Sequence, residues 1–187
     1  MKKFELTSDF VTFLGRKLFR IRALIEFGDV KSGELGGYVE KEENLAQDGD
    51  AWVYGDAWVY GNAQVYGNAQ VYGDAQVYGD AQVYGDARVC GDAWVYGNAW
   101  VCGDAQVYGD AQVYGDADYA YAHGFGSEYR TTTFFRLKDG GVGVRCGCFY
   151  GTLQEFRDKV RETHGKTKKA REYLMLADLM ELRFSEE

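Results

Sequence analysis

Two histidines, one Cys-x-Cys pair and aromatic residues at fixed spacing are the side chains of this 187-residue sequence best suited to chemistry. His123, within Tyr121-Ala122-His123-Gly124-Phe125-Gly126, could act as a general base, the role that histidine fills most often. The same segment also reads as a simple exit turn. His164 precedes Gly165 at the end of a helical pattern, where interaction with the helix dipole explains it sufficiently. Cys146 and Cys148 fall near a strand end, and strand alternation would put both on one face. A metal there would need more ligands than His123 and His164 supply, so none is expected and the pair reads as reactive or structural thiols. Arg136, Lys138 and Arg145 could form a basic patch on a hairpin, or a merely solvated strand face. The sequence contains no Gly-x-Ser-x-Gly, Gly-x-x-x-x-Gly-Lys or His-Glu-x-x-His.

The elements that would position these groups follow from one pattern. A six-residue block, Gly-Asp/Asn-Ala-x-Val-Tyr, runs without insertion or deletion from Gly49 to Tyr114. Eleven valines, Val53 to Val113, recur every six residues, and an alanine stands two before each. Ala-x-Val alternates as a short strand does, with Ala and Val on one side and Trp, Gln or Arg on the other. Gly-Asp or Gly-Asn then turns a corner, since these residues tolerate positive φ. A strict short period of this kind is the signature of a solenoid.

These hexads resemble the hexapeptide-repeat superfamily. Ile21–Leu24, Phe27–Gly33 and Gly36-Gly37-Tyr38-Val39 look like the leader of a poorly characterised bacterial and phage branch, often carrying a transferase label by default. The resemblance implies a mainly β chain: a left-handed parallel β-helix, triangular, with three hexads per coil and about 4–5 coils. At roughly 4.8 Å per coil, the regular part would stand on the order of 18 Å tall. An N-terminal β cap over 1–36, a β-helix over 37–123 and a C-terminal ββαα domain over 128–187 are expected. The strand Lys17–Leu24 belongs to the first. Thr131–Leu137, Val142–Phe149, a helix capped by Thr152-Leu153-Gln154-Glu155 and a second helix over Lys168–Leu182 belong to the last.

Many members of the superfamily transfer acyl groups from coenzyme A or acyl carrier protein, using a histidine on or beside a coil wall. No histidine lies between Gly49 and Ala117, so a non-catalytic protein with no cofactor is expected, with His123 the candidate base if it is an acyltransferase. Eighteen residues per coil stack Trp58, Gln76, Trp94 and Gln112 beside Tyr60, Tyr78, Tyr96 and Tyr114 on one wall. Trp52, Gln70, Arg88 and Gln106 stack on a second wall, and Gln64, Gln82 and Trp100 on a third. Cys90 and Cys102 take tyrosine positions on different walls, which argues against a disulfide between them.

Such flat aromatic faces either support the rod alone or also bind a partner. Trp58, Tyr60, Tyr78, Trp94 and Tyr96 are the candidate contacts, for self-association into a trimer, as the resemblance suggests, or for a host protein. Regularly spaced carboxylates could imitate a nucleic-acid backbone. A third possibility is a nucleotide-like ligand between subunits, its phosphate held by Arg136 or Arg145.

Nine aspartates from Asp50 to Asp116 against Arg88 alone give the repeat region, counted to Ala117, the chain's formal charge of −8. That balance argues against direct nucleic-acid binding. Neither a signal-peptide pattern nor an apolar run of about eighteen residues is seen, so no membrane association and a cytoplasmic location are expected.

Overall fold

A computed structural model describes residues 2–185. Two long antiparallel strands, β1 (Phe4–Phe13) and β2 (Arg16–Ala23), lead into β3 (Leu35–Val39). One short strand then follows for each hexad: β4 (Trp52–Val53), β5 (Trp58–Val59), β6 (Gln64–Val65), β7 (Gln70–Gly73), β8 (Gln76–Val77) and β9 (Gln82–Val83). The series continues through β10 (Arg88–Gly91), β11 (Trp94–Val95), β12 (Trp100–Val101), β13 (Gln106–Val107) and β14 (Gln112–Val113).

These strands form three parallel walls of roughly four turns. The first runs β3-β5-β8-β11-β14, the second β4-β7-β10-β13 and the third β6-β9-β12. Register is i to i+18 throughout the hexads, so valine lies over valine: Val59 on Val77, Val71 on Val89, Val65 on Val83. The repeated alanines Ala51 to Ala111 and valines Val53 to Val113 are fully buried. The corner glycines Gly49 to Gly109 all have positive φ, and at Gly85, φ +72°, a Cβ would also lie 2.9 Å from the Gly103 nitrogen of the next coil.

The N-terminal segment extends a wall as well as covering an end. β2 pairs antiparallel with β3, and β1 with β2, so the first wall is a seven-stranded sheet. A register shift between Leu6 and Phe10 breaks the alternation of β1, which is why no period marks it in the sequence. Trp52, expected on an outer face, is fully buried between Phe4 and Phe27, with ring centroids 6.2 and 5.3 Å away. Lys3 is also buried and donates from Nζ to the carbonyls of Asp48, Gly49 and Ala51 at 3.2, 3.3 and 2.9 Å.

The C-terminal unit has four strands rather than the two that the pattern shows: β15 (Tyr119–Ala122), β16 (Thr132–Arg136), β17 (Val142–Cys146) and β18 (Phe149–Thr152). β15 reads in the sequence as a decaying hexad, and β18 runs directly into a helix cap, so neither has a strand signature of its own. Helices α1 (Leu153–His164) and α2 (Lys168–Phe184) cover one face of this sheet. Phe134 and Val144 point into the helix core, whereas Phe135 and Leu137 join the core of the coils. The sheet thus closes the end of the rod: Gln106 N donates to Thr133 Oγ1 at 2.9 Å, and Ala111 bridges Leu137. No described helix is long and apolar enough to cross a membrane.

Candidate binding surface

The i to i+18 register turns each outward column into contacts between coils. On the first wall Tyr60, Tyr78 and Tyr96 stack with centroids 5.0 and 5.1 Å apart and planes within 4° and 13° of parallel. Tyr114 ends the column edge-on, 5.3 Å from Tyr96. On the third wall Tyr66 and Tyr84 stack at 4.9 Å and 2°. Adjacent strands lie about 4.8 Å apart, which suits the preferred spacing of stacked aromatic rings. The hydroxyls are tied as well: Tyr60 donates to Gln76 Oε1 at 3.3 Å and Tyr66 to Gln82 Oε1 at 2.9 Å. Burial, then the neighbouring Tyr78, pushes the Tyr60 hydroxyl up to about 12. Its hydrogen bond with Cys102 holds Tyr84 at about 12. Both therefore stay neutral donors at physiological pH.

The rings spend their faces on one another, so no planar ligand can intercalate between Tyr60, Tyr78 and Tyr96. Surface contact is left to ring edges, hydroxyls and the tryptophans beside them. Trp94 is 37 % and Trp100 50 % exposed. Trp58 and Tyr60 are less available, because Phe13 of β1 packs 5.1 Å and 6.0 Å from their rings. Tyr60 is 8 % exposed. Of the candidate aromatic residues, Tyr78, Trp94 and Tyr96 remain on an accessible wall. The third wall offers Gln64, Tyr66, Tyr84 and Trp100 as well.

Arg136 and Arg145 do not form one patch. Arg136 pairs with Val142 and points to the helix side, where its guanidinium lies 5.3 Å from the Phe184 ring and donates to the Phe184 carbonyl at 2.9 Å. Arg145 pairs with Thr133 and faces the rod, 4.4 Å over the ring of Tyr108. Alternation puts residues 136 and 145 on opposite faces once the hairpin register is fixed. Both are spent on intramolecular contacts, far in role from a phosphate clamp.

His123 is exposed, its Nδ1 3.0 Å from Thr131 Oγ1, and His164 stacks on Tyr173 with centroids 5.8 Å apart. The four cysteines are free; Cys90 is buried on the second wall between Tyr72 and Tyr108, and burial pushes its thiol up. Cys146 ends β17 and accepts from Thr132 Oγ1 at 3.2 Å. Cys148 lies in the following turn, so the two thiols do not share a strand face as alternation suggested. They nevertheless line one cleft of about 260 Å³ with His164 and Tyr173. Among the described residues, no three His, Cys, Asp or Glu side chains are grouped to hold a metal ion.

The corners complete the surface. One column is uninterrupted carboxylate, Asp56, Asp74, Asp92 and Asp110. The other two include asparagine, and there the amide relieves repulsion: Asn62 donates to Asp80 and Asn68 to Asp86, each at 3.0 Å. The surface is therefore an aromatic wall edged by negative charge.

The fold is a β-solenoid. The family model described as YdcK Beta solenoid repeat matches residues 63–79, 69–85, 81–97 and 87–103, all inside the uninterrupted hexads. No curated protein matches the chain. What the hexads alone did not reveal was Phe13, which removes Trp58 and Tyr60 from the open surface of the solenoid. The only hint was the density of aromatic residues at Phe4, Phe10, Phe13 and Phe19.

Proposed function

We propose that this solenoid is a non-catalytic binding protein of the hexapeptide-repeat type, acting in the cytoplasm and engaging a protein partner with a basic surface. The observation that carries the reading is the rigid aromatic wall between acidic corners. Stacked rings and strand hydrogen bonds fix the side chains before binding, so little entropy is lost on contact. Tyr and Trp dominate interface energetics, and charge at the rim sets partner choice. Nine aspartates spread over about four coils of roughly 4.8 Å give about one charge per 2 Å of axis. Duplex DNA carries one per roughly 1.7 Å. That similarity favours a partner whose own surface is built for nucleic acid.

Affinity capture from the source cytoplasm, with both proteins and small metabolites analysed, tests the reading. A basic protein should be retained, released by salt, and lost on replacing Trp94 and Trp100 by alanine. Capture unaffected by those replacements, or retention of acyl-coenzyme A alone, overturns it. His123→Ala should leave capture unchanged; acyl transfer present in the parent protein and absent in this variant would establish an enzyme instead. The same walls fit parallel self-association, with a homotrimer expected by light scattering. The mass of one chain at both low and high salt rules the trimer out.

A further inference from the structure

Every tyrosine column must end, and its terminal ring has one face with no tyrosine against it. At the N-terminal end of the first wall that ring is Tyr60, and Phe13 packs on it edge-on at 6.0 Å. At the opposite end of the rod, Tyr108 closes the second-wall column beyond Cys90 and is covered by the guanidinium of Arg145 at 4.4 Å. Tyr38, on β3, is covered in the same manner by Arg20 at 4.7 Å. The N-terminal end of the third wall differs from that of the first. Its first ring is Tyr66, stacked on Tyr84 on one side only. Leu45 bridges Val65, and Ala46 N donates to the Val65 carbonyl at 2.9 Å, so Ala46 stands one coil before Tyr66. A methyl group stands on the rung of this column where a ring would continue the stack. The rung is missing, and an open hollow of about 520 Å³ lies there, lined by Glu42, Glu43, Ala46, Gln64 and Tyr66 among others.

The chemistry of the hollow is specific. Its floor is a flat aromatic face. Glu42 is already paired with Lys2 Nζ at 2.7 Å, whereas Glu43 is exposed and makes no ion pair among the described residues. A planar cation with a fork of donors satisfies both features, lying on the ring while its edge meets a carboxylate. An ammonium group is compact and strongly hydrated and cannot lie flat in this way. The molecule already lays an arginine over a column-end ring at Tyr108, at the opposite end of the rod.

We propose that the hollow over Tyr66 is a guanidinium site, which receives an arginine side chain of the protein partner as the missing rung. The identity of the source rests on the binding function proposed above; the guanidinium site itself does not. It names a feature of the partner, an exposed arginine on a basic surface, and places it at the N-terminal end of the third wall.

The test is an NMR titration of the full chain with N-acetyl-arginine amide, and with N-acetyl-lysine amide for comparison. Saturable shifts are expected at Tyr66, Ala46 and Glu43, with the lysine compound binding roughly fivefold more weakly. Ala46→Tyr fills the rung and should abolish the shifts while leaving the thermal transition unchanged or raised. Glu43→Gln, an exposed and isosteric change, should weaken binding about threefold and removes any doubt about folding of the first variant. Equal binding of the two amides, undiminished binding to Ala46→Tyr, or no shift at Tyr66 overturns the site. Failure to capture a partner through Trp94 and Trp100 overturns only the wider binding function, because the amide titration needs no partner.

Discussion

Inside the solenoid each coil contributes three valines and three alanines, all fully buried, each standing on its own kind one coil away. In the C-terminal layer, Phe134, Phe149, Phe156 and Tyr173 meet at steep angles instead, with centroid distances of 5.5 to 6.1 Å. The first core uses small side chains and repetition. No single contact is large, but each strand is hydrogen-bonded to the next coil, so an error in one layer is felt by its neighbours. The second core uses a few large rings, and damage there has a local address. Repetition thus spreads a perturbation along the rod, whereas interlocking rings confine it.

The largest effect should come from Val83→Asp. Val83 is fully buried in the middle of the third wall, and a carboxylate there has no partner and no water. A loss exceeding about 4 kcal/mol is expected, with cooperative disruption of neighbouring coils. Tyr78→Ser, on the outside of the same rod, removes two ring stacks and should cost much less. Equal shifts of the denaturant midpoint in the two variants would break the distinction between inner and outer faces.

Phe156→Ala addresses the other core. Phe156 is 3 % exposed and touches Phe134, Phe149 and Tyr173. Its truncation should cost about 3–5 kcal/mol. The loss should be confined: hydrogen exchange is expected to accelerate in α1 and α2 while coil amides keep their protection. Uniform acceleration through the whole chain would show that the two cores are one cooperative unit.

The same contrast explains what was legible in the sequence. The hexads specify the inward alanines and valines from Ala51 to Val113 one by one, because period, burial and register are one fact there. Helix α1 was legible from Thr152 and Glu155, a local capping signal, and α2 from its apolar spacing. β1, β15 and β18 were not, since a bulge, a decaying hexad and a four-residue strand leave no period to read. The candidate surface followed suit. The ladders of Tyr78 and Tyr96 follow from the eighteen-residue coil. The shielding of Trp58 by Phe13, the opposite faces of Arg136 and Arg145, and the missing rung at Ala46 depend on how non-repetitive segments dock.

Lys3 marks the junction where such a segment meets the first coil, and it makes the comparison sensitive to pH. Burial lowers its ammonium pKa from 10.5 to about 8, against the opposing pull of Asp48 and Asp50. Below pH 8 both folded and unfolded chains hold the proton, and the fold bears the full cost. Between pH 8 and 10.5 only the unfolded chain holds it, so stability from this group rises with pH. Tyr60 acts in the opposite sense. Its raised pKa gives stability that is present below pH 10 and lost toward pH 12. Cys90, its thiol also raised by burial, opposes the gain as well. The rise from Lys3 is therefore read as the parent's gain relative to Lys3→Met above pH 8, with losses in both beyond about pH 10. In Lys3→Met the gain should vanish and the loss remain. A variant that keeps the rise would show that Lys3 is not its source.

The smallest effect is expected at the start of α1, where the C-terminal layer depends on a local device that the solenoid lacks. Thr152 Oγ1 accepts from Glu155 N at 3.3 Å, and Glu155 Oε2 accepts from Thr152 N at 2.8 Å and from its hydroxyl at 2.9 Å. These bonds hold the Glu155 carboxyl below its ordinary range. Thr152→Ala removes both hydroxyl contacts and should cost about 1 kcal/mol. The depressed carboxylate contributes stability above its unfolded pKa that is lost as pH falls, so acidification should shrink the difference between parent and variant. Exchange of the first-turn amides of α1 reports it most directly. If those amides are unchanged while the coil amides of Gln106 and Val107 speed up, the sheet transmits the strain into the rod, and the local character assigned to this half of the molecule is wrong.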